Sequence, residues 1–378
     1  MSSALFGLSR KKAGRLYELL NDELVNRIKE IKKQDKILNE LKSEPNELIQ
    51  LYTTVFLEER KQMRRICSQD PQWADFYFIS RVIGSCTNAR EKRNTFKSYF
   101  TDFLSADDIK LLERLPWITN RPLVPNEYGY WDYMFKLLQT NELGKDRSGL
   151  SQILYQFNVK KIAQFTDGTE LLEKFRTQAK NNVQSYNEAL WEKADEIPFE
   201  PKKYNCNSFQ AGNGLFPILS RCLVESCKYV IGVGGSANWL KTLDKELDIN
   251  NSNIKDNAEG LCKQIDQWPG YGRALAEDFF KDMGFDYFGK PDRHVIRVLE
   301  GLNIPLGDKP EEKVNEFLNH FASQIGNGVT ANQIDKIIWL LMSGRFYKHT
   351  NQAYPLDGRN GKHNKSSAMC RRILKKLQ

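Results

Sequence analysis

Apolar side chains recur every three or four positions early in the chain, at Leu16, Leu19, Leu20, Leu24, Ile28, Ile31, Leu38 and Leu41, with charged residues between them. That period predicts an amphipathic helix with one buried face. Ser43-Glu44-Pro45-Asn46 interrupts it, and a second helix is predicted through Leu48, Leu51, Val55 and Met63. From Asp70-Pro71 the helical pattern becomes aromatic: Trp73, Phe76, Tyr77, Phe78 and Ile79 lead to Val82 and Ile83, then to Phe96, Tyr99, Phe100, Phe103 and Leu104. Leu115–Trp131 carries three prolines and four ring side chains, which predicts an irregular segment held against a core. Residues 195–215, with Pro198, Pro201, Gly212 and Gly214, form a second loop-rich interval. Helical periodicity returns over Phe216–Tyr229 and dominates from Ile254 onward. No period-two alternation runs through several strands and no internal repeat is visible. The predicted fold class is all-α.

Composition places this pattern in a soluble globular protein. The chain has 378 residues, 40 % hydrophobic and 28 % charged, which excludes disordered and fibrous classes and allows one large domain or two to three modest ones. Met1–Leu8 runs directly into Arg10-Lys11-Lys12, with no apolar stretch of signal-peptide length. The longest apolar run, Ile337–Met342, is far short of the roughly 18 residues that suggest a membrane span. Seven cysteines at irregular spacings predict reduced thiols rather than a disulfide framework. With no CxxC and scattered histidines, a structural zinc or iron–sulfur site has no support. The expected location is cytoplasmic, nucleoid-associated in a prokaryote or nuclear in a eukaryote, with no membrane partner.

Charge sharpens the picture because it is unevenly spread. The formal net charge is +8, yet residues 1–66 hold 14 basic against 10 acidic side chains and residues 357–378 hold 7 against 1. The long middle is therefore slightly acidic. Attraction to a polyanion would come from the two ends and from local groups. The tail from Asp357 reads either as a non-specific phosphate contact or as a solvated helix end.

The stretch that carries chemistry is Gln264-Ile265-Asp266-Gln267-Trp268-Pro269-Gly270-Tyr271-Gly272-Arg273-Ala274-Leu275-Ala276-Glu277. An apolar residue and then Pro-Gly-apolar-Gly sit between two helical segments. The glycines allow backbone angles closed to other residues and a close approach to a ligand. Amides at the next helix start form a phosphate site favoured by the helix dipole. Such a hairpin grips a DNA backbone without reading sequence. Downstream, Gly289-Lys290-Pro291-Asp292-Arg293-His294-Val295-Ile296-Arg297-Val298-Leu299 places Asp292 at the N-cap or first turn of a helix with Val295, Val298 and Leu299 on its apolar face.

Together these segments resemble the helix-hairpin-helix DNA glycosylases, the Gly/Pro-Asp superfamily of base-excision enzymes. Trp268-Pro269-Gly270-Tyr271-Gly272 matches the family's hairpin, Asp292 its catalytic aspartate, and His294 and Arg297 the residues that follow it. The likeness is tight over 264–300. It is looser over 75–93, where Phe76–Ser85 and Cys86-Thr87-Asn88 look like an early helix and its polar turn, and over Ile334–Leu340, which is similar to a late core helix. Residues 1–66 and much of 105–215 match nothing in the family pattern.

The resemblance implies a two-lobed helix-hairpin-helix glycosylase fold with a helical N-terminal extension over 1–66. The glycosylase domain would span 67–378, with a large insertion around 105–215 and a basic tail from 357. It implies a monomeric enzyme that binds double-stranded DNA through Gly270, Tyr271, Gly272, Arg273 and His294. The enzyme would flip a damaged or modified base and use Asp292 to hydrolyse the N-glycosidic bond, leaving an abasic site. A carboxylate beside C1′ stabilises the oxocarbenium-like sugar and activates water. Bifunctional members carry a nucleophilic lysine where this chain has Ala274, so strand cleavage through a Schiff base is not expected. Lys290, outside the hairpin, reads as a phosphate or solvent contact. No four-cysteine cluster can form, since only Cys370 follows Cys262. No cofactor is implied beyond a monovalent or divalent cation bridging the hairpin backbone and a DNA phosphate.

Several assignments stay open at this level. His294 either contacts a phosphate, holds the helix of Asp292, or fills an interface; Tyr271 either packs or touches sugar-phosphate; Arg297 either braces local structure or acts in the chemistry. The base pocket would be lined by Trp73, Phe76, Tyr77, Trp117 and Trp131, each of which also reads as core. Val230-Ile231-Gly232-Val233-Gly234-Gly235-Ser236-Ala237 fits a dinucleotide fingerprint, but no βαβ pattern surrounds it and a glycine-rich loop between helices is expected. Two readings compete with housekeeping repair: a non-catalytic hairpin DNA-binding protein, and removal of non-standard bases from foreign phage DNA.

Overall fold

The computed structural model describes residues 6–69, 232–346, 352–356 and 365–378, with single positions between 74 and 82, between 222 and 230, and at 349. Among the described residues the chain is all-α. The β contact there is an isolated bridge between Arg345 and Ala353. No described helix is long and apolar enough to cross a membrane. The chain divides into two compact units: Met1–Lys61 with Leu247–Ala258 and Arg273–Gln378, and Gln62–Glu246 with Glu259–Gly272.

In the first unit, α1 (Arg10–Lys32) starts at Ser9, whose side chain accepts from the Lys12 amide, and buries Leu16, Leu19, Leu20, Leu24, Ile28 and Ile31. The periodicity predicted to run on to Leu41 is broken after Lys32. Asp35 accepts from the Leu38 amide at 2.9 Å and starts a separate short helix, α2 (Lys36–Glu40). A carboxylate that satisfies an orphan amide of the next turn competes with helix continuation. Next, α3 (Pro45–Gln50) opens on a reciprocal capping box between Glu44 and Glu47. A π-helical turn, Leu51–Val55, then leads into α4 (Phe56–Cys67), which belongs to this unit as far as Lys61 and to the second from Gln62. The wider turn shifts the register, so Val55, predicted on the buried face, is 41 % exposed while Tyr52 and Phe56 are buried. Thr53 adds a side-chain hydrogen bond to the Ile49 carbonyl at 2.8 Å, a known cause of helix distortion.

The rest of this unit comprises α7 (Arg273–Asp282), α8 (Arg293–Gly301), α9 (Pro310–Ile325), α10 (Ala331–Ser343) and α11 (Lys365–Leu377). Here α5 (Ser236–Glu246) and α6 (Ile254–Ile265) precede them in the chain. The apolar helix α10 lies among α1, α8, α9 and the π turn, and almost all of its side chains are buried. Its ends are set by a capping box between Thr330 and Gln333 and by Gly344 in the left-handed region. Arg60 and Lys61 pair with Asp282 and Asp286 at 3.0 and 2.8 Å.

The C-terminal segment is partly a docked helix. Met369, Cys370 and Ile373 of α11 are buried, and the helix packs on α1 and α8. Gly301 makes room for it, since a Cβ there would meet the Cys370 sulfur at 2.7 Å. Arg371, Lys375 and Lys376 remain exposed. Ile373→Ala is therefore expected to cost about 2–5 kcal/mol in urea unfolding. Replacing Lys375 and Lys376 with glutamine should move stability by no more than about 0.5 kcal/mol.

The second unit holds α5, most of α6 and the hairpin that follows it. Trp268, the hairpin's leading apolar residue, is buried. Its ring meets Phe78, Tyr229 and Tyr271 edge-on, with centroids 6.2, 5.9 and 5.5 Å away. Trp239 of α5 joins the cluster through Phe78 and Tyr229. Edge-to-face geometry is favoured by the ring quadrupoles. Arg64 donates from Nε and Nη2 to the same oxygen, Asp244 Oδ1, at 2.9 and 2.7 Å.

Candidate active site

Residues Met283–Asp292 connect α7 to α8, and buried or half-buried polar side chains hold this loop by its backbone. Asn332 donates to the carbonyls of Lys281 and Phe285 at 3.1 and 3.0 Å, and Asn319 to the carbonyl of Tyr287 at 2.8 Å. Asn315 accepts from the Gly289 amide, and Asp335 from the Lys290 amide, both at 2.9 Å. A backbone group buried without such a partner would cost about 1–3 kcal/mol, so these side chains fix the loop's path. Gly289 is required by crowding: a Cβ there would clash with Leu318 and sit 3.3 Å from Asp335 Cβ.

The loop delivers Asp292 as the N-cap of α8. Its Oδ1 accepts from the His294 amide at 2.8 Å and the Val295 amide at 3.1 Å. The helix is anchored from below by buried Val295, Val298 and Leu299. Asp292 is half-buried, and its Oδ2 accepts no hydrogen bond among the described residues. One carboxylate oxygen is thus fixed by the fold while the second stays open.

Behind Asp292 lies a network of ion pairs. Lys281 Nζ pairs with Asp335 at 2.7 Å and with Asp278 at 3.4 Å; Lys290 Nζ pairs with Asp278 at 2.6 Å. Burial alone pulls the Lys281 ammonium down, but Asp335, Asp278 and Asp282 together carry it well above the usual lysine range. Burial pushes the Asp335 carboxyl up, Lys281 opposes this, and the neighbouring Asp292 pushes it further up. Beside it, Lys336 is lowered to about 7 by burial, then by Arg60 and Lys281, and its ammonium lies 4.8 Å from the Trp339 ring centroid.

Lys336 makes stability depend on pH. Between about pH 7 and the ordinary lysine value the unfolded chain holds a proton that the folded chain has lost, so stability rises with pH across that window. Each pH unit there is worth about 1.4 kcal/mol. Lys336→Met is expected to stabilise the protein most at or below pH 7 and progressively less toward pH 10, measured by denaturant midpoints in a pH series.

No family model, curated protein or solved structure matches the chain.

Asp292, His294, Lys290 and Arg273 belong to the first unit; Gly270, Tyr271 and Gly272 belong to the second. The Tyr271 amide donates to the Trp268 carbonyl at 2.9 Å, and Gly270 has φ +82°, so Trp268–Tyr271 forms a type II turn with proline and glycine where that turn needs them. Gly270 and Gly272 are exposed. Tyr271 packs its ring on Trp268 and directs its hydroxyl to the Val82 carbonyl at 3.5 Å. Arg273 donates to the fully buried Glu277 at 2.6 Å, so part of its guanidinium is already engaged. His294 Nδ1 is buried with no hydrogen-bond partner, and Arg297 is exposed. Lys290 is held in its ion pair with Asp278 rather than extended into solvent. Tyr77 is 2 % exposed with the Arg81 guanidinium 5.7 Å from its ring centroid; Trp73, Phe76, Trp117 and Trp131 lie outside the described residues. No group of three or more His, Cys, Asp or Glu among the described residues is arranged to hold a metal ion. The glycine-rich segment lies between helical residues, with Gly234 and Gly235 at φ +91° and +94° ahead of α5.

No motif or spacing in the sequence singles out Asp278, Lys281, Asp335 or the asparagines that hold the loop. One signal is present: Asp335-Lys336 is a charged pair inside the otherwise apolar stretch Ile334–Met342. Charges are almost never fully buried without partners, so such a pair marks a site.

Proposed function

We propose that the protein is a monofunctional DNA glycosylase of the helix-hairpin-helix type. The observation that carries this reading is Asp292: an N-cap carboxylate with one oxygen held by two amides and the other open, on a loop clamped by buried polar groups. A carboxylate so fixed suits stabilisation of a sugar cation at C1′ and orientation of an attacking water, which needs placement more than movement. The hairpin Trp268–Gly272, exposed at both glycines and built on a buried tryptophan, supports a backbone grip on DNA. Ala274, second in α7, offers no amine for a Schiff base.

The test is base release from duplexes carrying damaged bases and from duplexes carrying enzymatically modified, phage-type bases. Strand breaks that appear only after alkali support a monofunctional glycosylase, and the substrate that yields them separates repair from action on foreign DNA. Duplex binding with no breaks across the panel would sink the catalytic reading in favour of a binding protein. Breaks without alkali, trapped by borohydride, would refute the monofunctional assignment.

A further inference from the structure

We propose that Asp335 is the positioning residue of Asp292, acting through the backbone of Lys290; the inference rests on the glycosylase reading only for its kinetic consequence. Lys290 is held at three atoms. Its amide donates to Asp335 Oδ1 at 2.9 Å, its carbonyl accepts from the Asp292 amide at 2.7 Å, and its ammonium pairs with Asp278 at 2.6 Å. The first two bonds run in series from a fully buried side chain of α10 to the backbone of Asp292. Pro291, also buried, limits the backbone between them. Next to it, the Gly289 amide is fixed by Asn315, and the absence of a Cβ at Gly289 leaves room for Leu318 of α9, with Asp335 Cβ 3.3 Å from where that Cβ would stand.

Asp335 is therefore more than the counter-ion of Lys281. Its Oδ2 faces Lys281 while its Oδ1 spans to the loop, so one side chain ties the core helix to the turn that aims Asp292. If Oδ1 is lost, the Lys290 amide loses its acceptor and the turn relaxes. The N-cap carboxylate then moves relative to the His294 and Val295 amides. Displacements of about 1 Å at a catalytic group cost up to about 100-fold in rate.

The test compares two double variants in the full chain. Asp335→Asn/Lys281→Met removes both buried charges but keeps an oxygen for the Lys290 amide. Asp335→Leu/Lys281→Met removes the charges and the oxygen. Replacing a buried ion pair by apolar side chains is often neutral for stability, so the leucine pair is a folded control for geometry. Expected are faster amide exchange at Lys290, His294 and Val295 in the leucine pair than in the asparagine pair, by about 10-fold or more. Single-turnover base release should be slower by a similar factor. Affinity for a duplex containing a tetrahydrofuran abasic analogue should be equal in the two. If leucine overfills the site, Asp335→Ala/Lys281→Met makes the same comparison. Equal exchange at His294 and Val295 in the two variants overturns the proposal. If the wild-type chain releases no base, the glycosylase reading fails alone, because the exchange measurement still decides whether Asp335 positions Asp292.

Discussion

Asp292→Asn is expected to abolish base release while leaving the fold and DNA affinity intact. Asparagine is as good an N-cap as aspartate, so its side-chain oxygen can keep the bonds from the His294 and Val295 amides. What disappears is the negative charge on the open oxygen. On the proposed mechanism that charge opposes the growing cation at C1′ and orients or deprotonates the water, and its loss should slow single-turnover release by about 10²–10⁴-fold. On the same proposal, binding to a tetrahydrofuran duplex rests on the hairpin and local cations and should change little. Asp292→Ala separates the two roles, because it adds the loss of the cap, about 1 kcal/mol of stability, to the same loss of rate. The idea fails if the asparagine variant retains release within about threefold of wild type under single-turnover conditions.

The parts of this fold that were readable in the sequence are those set by short-range period. The buried face of α1 from Leu16 to Ile31 and the face of α8 at Val295, Val298 and Leu299 follow from spacing alone. The helix starting at Asp292 follows from a proline and a cap residue in order. Where the reading slipped, a local backbone device was responsible. Asp35 sits among polar residues that suit a helix surface, and only its bond to the Leu38 amide shows that it ends one helix and begins another. The π turn at Leu51–Val55 moved Val55 outward without any change in apolar pattern.

The surroundings of Asp292 were unreadable for a different reason. Asp278, Lys281, Lys290 and Asp335 come together only after α7 and α10 pack around the loop, and no spacing rule links such distant positions. Residues 1–66 read in sequence as a helical N-terminal extension, because nothing in their pattern names a partner. In the structure Met1–Lys61 shares a unit with Arg273–Gln378, and α1 packs on α9, α10 and α11. The C-terminal charge has a similar lesson. Because α11 buries Met369, Cys370 and Ile373, deleting the tail would test core packing, and only side-chain neutralisation at Lys375 and Lys376 tests phosphate attraction.

Lys281→Ala is expected to be the most destabilising single change near the site, costing about 3–5 kcal/mol at neutral pH. Lys281 and Asp335 are both almost wholly buried and lie 2.7 Å apart. Removing the cation leaves a carboxylate in a low-dielectric interior beside Asp292, with the Lys290 amide as its remaining donor in the network. Asp278 suffers less, since it keeps Lys290 at 2.6 Å. The sign of the pH dependence identifies the cause. Burial already pushes the Asp335 carboxyl up, and Lys281 is the largest influence pulling against it, so in the variant the folded state should take up a proton well above the ordinary aspartate range. Over that window the folded chain binds more protons than the unfolded chain, and stability falls as pH rises. The deficit of Lys281→Ala relative to wild type should therefore be small in acid and grow toward neutrality. In Asp335→Leu/Lys281→Met that dependence should vanish. Urea midpoints for the three proteins between pH 4 and 8 decide it, and a deficit that does not change with pH would mean that lost packing of the lysine stem, rather than a stranded carboxylate, accounts for the cost.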